Sequence, residues 1–175
     1  MRVRGPLIAA AVAFAAGCAG GGQAAPDCEP DTRLAIVAQS VPGAAYVPCI
    51  AELPPGWSFV ELDVRDDGTT MVLKSDRADR EVEVRLVRTC DVSEATPVTP
   101  RDEGSRTYQL IRSISPRYAA SLVDVFPGGC VLVSYDFERG PHVASITELQ
   151  RTVALYPRRD LRQQLRSTLG VTLDP

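Results

Sequence analysis

YAASLVDVFPGGCVLVSYDF, residues 118–137, is the stretch on which the fold turns. Two apolar runs flank Pro127-Gly128, where proline presets the first central residue of a tight turn and glycine accepts the positive φ of the second. The runs 118–126 and 130–137 are therefore predicted to be antiparallel strands, with Val125 facing Cys130 and Val123 facing Leu132. Cys130 then lies on an apolar face. Val131, Val133, Tyr135 and Phe137 make the opposite face apolar as well, so the second strand is predicted to be central, with material packed over each side.

Working outward, 59–65 and 69–75 flank Asp67-Gly68, the preferred pair for a two-residue type I′ hairpin. That turn predicts Val64 opposite Met71, Leu62 opposite Leu73 and Glu61 opposite Lys74. In 81–89, Val82, Val84 and Leu86 alternate with Glu81, Glu83 and Arg85, the pattern of a half-buried antiparallel strand whose even face Cys90 continues. Residues 107–113 are predicted to form a further strand, and 91–106 a polar loop. Periodicity does not decide between strand and short helix for 32–40, and the proline- and glycine-rich 41–56 is predicted to be irregular.

Two helices are expected at the C-terminal end. Ser145 and Glu148 match a capping box, with Ile146, Leu149 and Val153 on one face. Pro157 suits the first turn of the second, in which Leu161, Leu165 and Leu169 recur every four residues and Gly170 fits the cap. The expected fold class is thus α+β: an antiparallel sheet of about five to six strands, C-terminal α-helices on one face, and two disulfides.

The chain holds five cysteines. Cys28, Cys49, Cys90 and Cys130 allow three pairings, of which Cys28 with Cys49 and Cys90 with Cys130 is expected, each closure worth about 3–4 kcal/mol. Cys18 is left over. It follows a basic start (Arg2, Arg4) and an apolar run from Leu7 to Ala16, the layout of an export signal. Ala16-Gly17-Cys18 resembles the lipobox of bacterial lipoproteins, although Ala15 stands where that family usually has leucine. The resemblance implies a diacylglyceryl thioether on Cys18, which becomes the mature N-terminus. Two acyl chains suffice for stable anchoring where one binds marginally. VPCIAELPPGW (47–57) and GGCVLVSYDF (128–137) resemble segments of uncharacterised actinobacterial envelope lipoproteins.

The expected organisation is a signal peptide at 1–17, a lipidated flexible tether at 18–27 and a single extracytoplasmic domain at 28–175. The expected location is the outer face of the cell membrane, with plain secretion as the alternative. Without Arg2 and Arg4, the 19 basic residues become 17 against 22 acidic ones, a net charge of about −5 that argues against nucleic acid as a partner. Arg158, Arg159 and Arg162 give the last helix a basic side for membrane or partner contact.

No motif announces chemistry. The sole histidine, His142, has Ser145 and Asp136 in its neighbourhood but no nucleophile elbow or metal-binding His-Glu pair. Asp136 and Glu138 lack a partner at recognisable spacing, and Asp63 to Lys74 fails as a calcium loop because Arg65 and Lys74 stand where oxygen ligands belong. No cofactor and no metal are expected. The sequence is most consistent with a non-catalytic, lipid-anchored envelope protein that binds a protein or small molecule; the alternatives are an envelope hydrolase and a lipoprotein regulating a membrane neighbour.

Overall fold

The computed structural model describes residues 24–76, 80–138 and 143–174, and the expected signal peptide, Cys18 and His142 lie outside them. The central hairpin forms as its sequence predicts: β7 (Tyr118–Phe126) and β8 (Gly129–Phe137) pair with Val125 opposite Cys130 and Val123 opposite Leu132. Gly128 takes φ 77°, the conformation that the turn demands of its second central residue.

Around this hairpin lie α1 (Thr32–Ser40), β1 (Tyr46–Ile50), β2 (Trp57–Arg65), β3 (Gly68–Ser75), β4 (Arg80–Val87), β5 (Thr96–Val98) and β6 (Arg106–Ser113). After it come α2 (Val143–Thr152), β9 (Val153–Pro157) and α3 (Arg158–Thr168). Seven strands form one antiparallel sheet in the order β2-β3-β4-β8-β7-β6-β5, and β1 and β9 form a second, two-stranded one. The fold is mostly antiparallel sheet with few helices. Nine strands in two sheets, counted among the described residues, replace the expected five to six.

One face of the large sheet carries the core. Met71, Leu73, Val82, Val84, Leu86, Val131, Val133 and Phe137 pack against Leu34 and Val37 of α1, Val47 and Leu155 of the small sheet, and Leu161 and Leu165 of α3. The cover is thus a mixed layer of helix and strand, not the C-terminal helices alone. β8 is central as expected, but the face it shares with Leu132 and Ser134 is only half-buried, so the expectation of a layer over both sides is corrected.

The β2–β3 hairpin departs from its predicted register. Arg65 pairs with Gly68 and Leu62 with Met71, so Asp66-Asp67 forms the turn. Gly68 is used for close approach instead: a Cβ there would lie 2.4 Å from the Leu86 carbonyl oxygen of neighbouring β4. The slip of two residues preserves parity, so Leu62 still faces the core. Trp57 and Phe59 have the opposite parity, and a bulge between Phe59 and Glu61 restores them to the same side, leaving Val60 exposed.

Three other expectations change and one open assignment is settled. Residues 91–106, expected to be a loop, contain β5. Residues 32–40 are helical, capped by the Asp31 carboxylate, which accepts the Leu34 N–H at 2.8 Å. The segment expected to be irregular contains β1. Val153, expected on a helix face, begins β9, which moves Pro157 to the N-cap of α3 and leaves Leu169 half-exposed.

Both disulfides have the expected pairing, Cys28 with Cys49 and Cys90 with Cys130. β4 ends at Val87, opposite Cys130, so Cys90 reaches Cys130 from beyond the strand and on the face opposite Val82, Val84 and Leu86. The pair matches a domain that matures in an oxidising compartment. Cys90→Ser with Cys130→Ser opens a separation of 40 residues. The double change is expected to cost about 4 kcal/mol, measured by urea denaturation against the oxidised parent.

Candidate functional site

A charged cluster is buried on the core face where β6 and β7 meet the second layer. Asp124 lies between Thr107 on β6 and Val131 on β8, with no solvent exposure. The Thr107 hydroxyl donates to Asp124 Oδ1 at 2.7 Å, and Arg101 Nη1 lies 3.6 Å from Asp124 Oδ2. Thr107 Oγ1 also accepts the Arg101 backbone N–H at 3.2 Å. Arg101 Nη2 donates to the Val153 carbonyl at 2.5 Å, so one guanidinium ties the large sheet to the small one.

Burial pushes the Asp124 carboxyl above the ordinary carboxylate range; Arg101 and the Thr107 bond oppose that rise, and Asp102 adds to it. Burial likewise raises the phenol of Tyr135, which Arg101 opposes and Asp124 and Tyr118 reinforce. The Tyr135 hydroxyl is buried without a hydrogen-bond partner among the described residues.

Arg101 also forms part of a cleft of about 340 Å³. Asp102 stands beside it, Thr147, Gln150 and Arg151 of α2 contribute further lining, and the cleft runs along Val153, Ala154 and Leu155 of β9. Two guanidiniums and one carboxylate therefore border a strip of strand backbone. This arrangement suits a polar or anionic group held beside main-chain hydrogen bonds. Thr107 and Asp124 have the spacing of a hydroxyl and its base. Thr107, however, is 2% exposed and Asp124 is sealed, so no substrate reaches them.

The other residues singled out in the sequence are dispersed. Asp136 accepts from Arg117 Nε and Nη2, at 2.5 and 2.6 Å, and Asp63 accepts from Arg65 at 2.8 Å. The surface role expected of Arg158 is corrected. It is buried, donating to the Ala38 carbonyl, the Gln39 side chain and the Asp174 carbonyl, and it fastens α1 and the C-terminal segment to α3. Burial lowers its pKa, as does neighbouring Arg162, while Asp174 opposes the shift. Arg162 donates to the Asp174 carbonyl at 3.3 Å, and Arg159 is exposed beside Asp160.

The sequence reading missed Asp124 and Arg101. Asp124 does carry a signal, as a lone carboxylate inside the apolar run SLVDVF. Arg101 lies in a loop without periodicity and carries none. In comparisons with known protein families, curated proteins and solved structures, nothing matches the chain.

Proposed function

We propose that the chain is a lipid-anchored cell-envelope protein, similar to uncharacterised actinobacterial envelope lipoproteins, whose extracytoplasmic domain binds a partner without catalysing a reaction on it. The observation that carries the anchor is the cysteine count. Cys28, Cys49, Cys90 and Cys130 are paired with one another, which leaves over Cys18, directly after the apolar run. A lipidated cysteine followed by Ala19-Gly20-Gly21-Gly22 and a disulfide-bonded domain is the organisation of a tethered surface module.

Binding is favoured over hydrolysis by the cleft at Arg101. Its lining includes Arg101 and Arg151 beside β9, whereas the hydroxyl and carboxylate that lie at catalytic spacing, Thr107 and Asp124, are sealed behind it.

The anchor is tested by the intact mass of the detergent-extracted mature protein before and after reduction. A diacylglyceryl increment on a chain beginning at Cys18, with a gain of four hydrogens on reducing the two disulfides, is expected. An unmodified chain that begins elsewhere overturns the anchor.

A further inference from the structure

We infer that the outward edge of β9 is a strand-addition site that takes an extended, acidic segment of a partner polypeptide; this rests on the binding reading above and names the chemistry of the partner. The pairing of β9 with β1 sets which way its backbone groups point. In an antiparallel pair, successive residues alternate between bonding the neighbouring strand and facing away from it. The Ala51 N–H donates to the Thr152 carbonyl at 2.8 Å and the Arg158 N–H to the Ala45 carbonyl at 2.9 Å. With Cys49 opposite Ala154 and Val47 opposite Tyr156, the even-numbered residues of β9 bond β1. Val153, Leu155 and Pro157 therefore direct their main-chain groups away from it.

The two edges of the small sheet then differ. On the β1 side, the Ile50 N–H donates to the Pro26 carbonyl at 2.8 Å and Asp27 bridges Ile50. Pro48 has no N–H to offer, so that edge is closed. On the β9 side, no third strand follows among the described residues. The edge borders the cleft that Arg101, Asp102, Gln150 and Arg151 share with Val153 and Leu155.

This edge is short, bounded and little exposed, with Val153 at 1% and Leu155 at 6%. Pro157 lacks an N–H at one end, and Arg101 occupies the Val153 carbonyl at the other. Between them stand the N–H and carbonyl of Leu155, which together accept one residue of an incoming strand through two hydrogen bonds. Charge selects the side chains of that strand. Arg101 is engaged by Asp124 and the Val153 carbonyl, so the exposed guanidinium of Arg151 is the group that an acidic residue adjoining the paired one meets.

The test is residue-resolved amide exchange on the full oxidised chain, using a short blocked peptide of alternating valine and glutamate as the probe and its valine–lysine counterpart as the control. In the free protein, Leu155 is expected to exchange roughly tenfold faster than Ala154 and Tyr156, whose N–H groups face β1. The glutamate peptide slows Leu155 about tenfold and the lysine peptide leaves it unchanged. Arg151→Gln, an exposed change that leaves the fold intact, weakens the glutamate peptide several-fold. Leu155 protected as well as its neighbours before any peptide is added overturns the proposal, because the chain itself then covers the edge. Equal protection by both peptides overturns the acidic preference. Glutamate peptide bound elsewhere, with Leu155 unprotected, overturns this site while the binding reading stands.

Discussion

Replacing Gly128 with alanine is expected to remove a large share of the stability of the domain. Two costs add. Gly128 has φ 77°. An alanine in that left-handed conformation costs about 1–2 kcal/mol. A Cβ at this position would also fall 1.6 Å from the Gly43 carbonyl oxygen and 3.1 Å from the Ala44 nitrogen, both of which are backbone and cannot rotate aside. The segment joining α1 to β1 must retreat, breaking the bond from the Ala45 N–H to the Pro127 carbonyl and exposing Ala44, which is wholly buried. A total of roughly 4 kcal/mol or more places Gly128→Ala among the exceptional single substitutions. Gly170→Ala separates the two costs, since Gly170 has φ 65° with nothing within 4 Å of its would-be Cβ. Urea denaturation is expected to show only about 1–2 kcal/mol lost there. Equal losses at the two positions would show that the approach of Gly43 to Gly128 yields easily.

The elements legible in the sequence are those whose turn and whose alternation agree. Pro127-Gly128 specified both the β7–β8 turn and its register, and the strict alternation from Glu81 to Leu86 specified the inward face of β4. Asp67-Gly68 misled because glycine has two uses. Here the close packing of Gly68 on Leu86 prevailed over turn conformation. β9 was hidden by its neighbours: Ile146, Leu149 and Val153 continue a helical stripe, and five residues are too few for a period of two to declare itself. β1 was hidden by prolines, which are tolerated because Pro48 sits on the side of the strand that faces away from β9.

The site was less legible than the fold, and the arginines show why. Arg158, Leu161 and Leu165 stand at spacings of three and four, so helical geometry puts Arg158 on the same stripe as two core leucines. Grouping it with Arg159 and Arg162 by charge alone placed a buried staple on the surface. Spacing would have separated them. Nothing comparable locates Arg101, because its partners on β7 and β9 are distant in sequence and only the finished topology brings them together.

Arg101→Met is expected to destabilise the domain by about 3–5 kcal/mol near neutral pH, because it leaves the sealed Asp124 carboxylate without its counter-charge. The loss should depend on pH in a direction that the burial of Asp124 determines. Its folded-state pKa is raised, so the folded chain keeps the proton over a window in which the unfolded chain, titrating at about 3.9, has released it. The stability Asp124 contributes is therefore fully present below that value and is lost as pH rises through the folded one. Removing Arg101 removes a charge that opposes the rise, which lifts the upper edge of the window and deepens the decline across it. Denaturation of parent and variant between about pH 4 and pH 8 should show the two curves diverging as pH increases. Adding Asp124→Asn to Arg101→Met should flatten the curve, since the amide carbonyl still accepts from Thr107 but nothing ionises. A loss independent of pH would assign the role of Arg101 to its bond with the Val153 carbonyl, the tie between the two sheets, and not to the charge on Asp124.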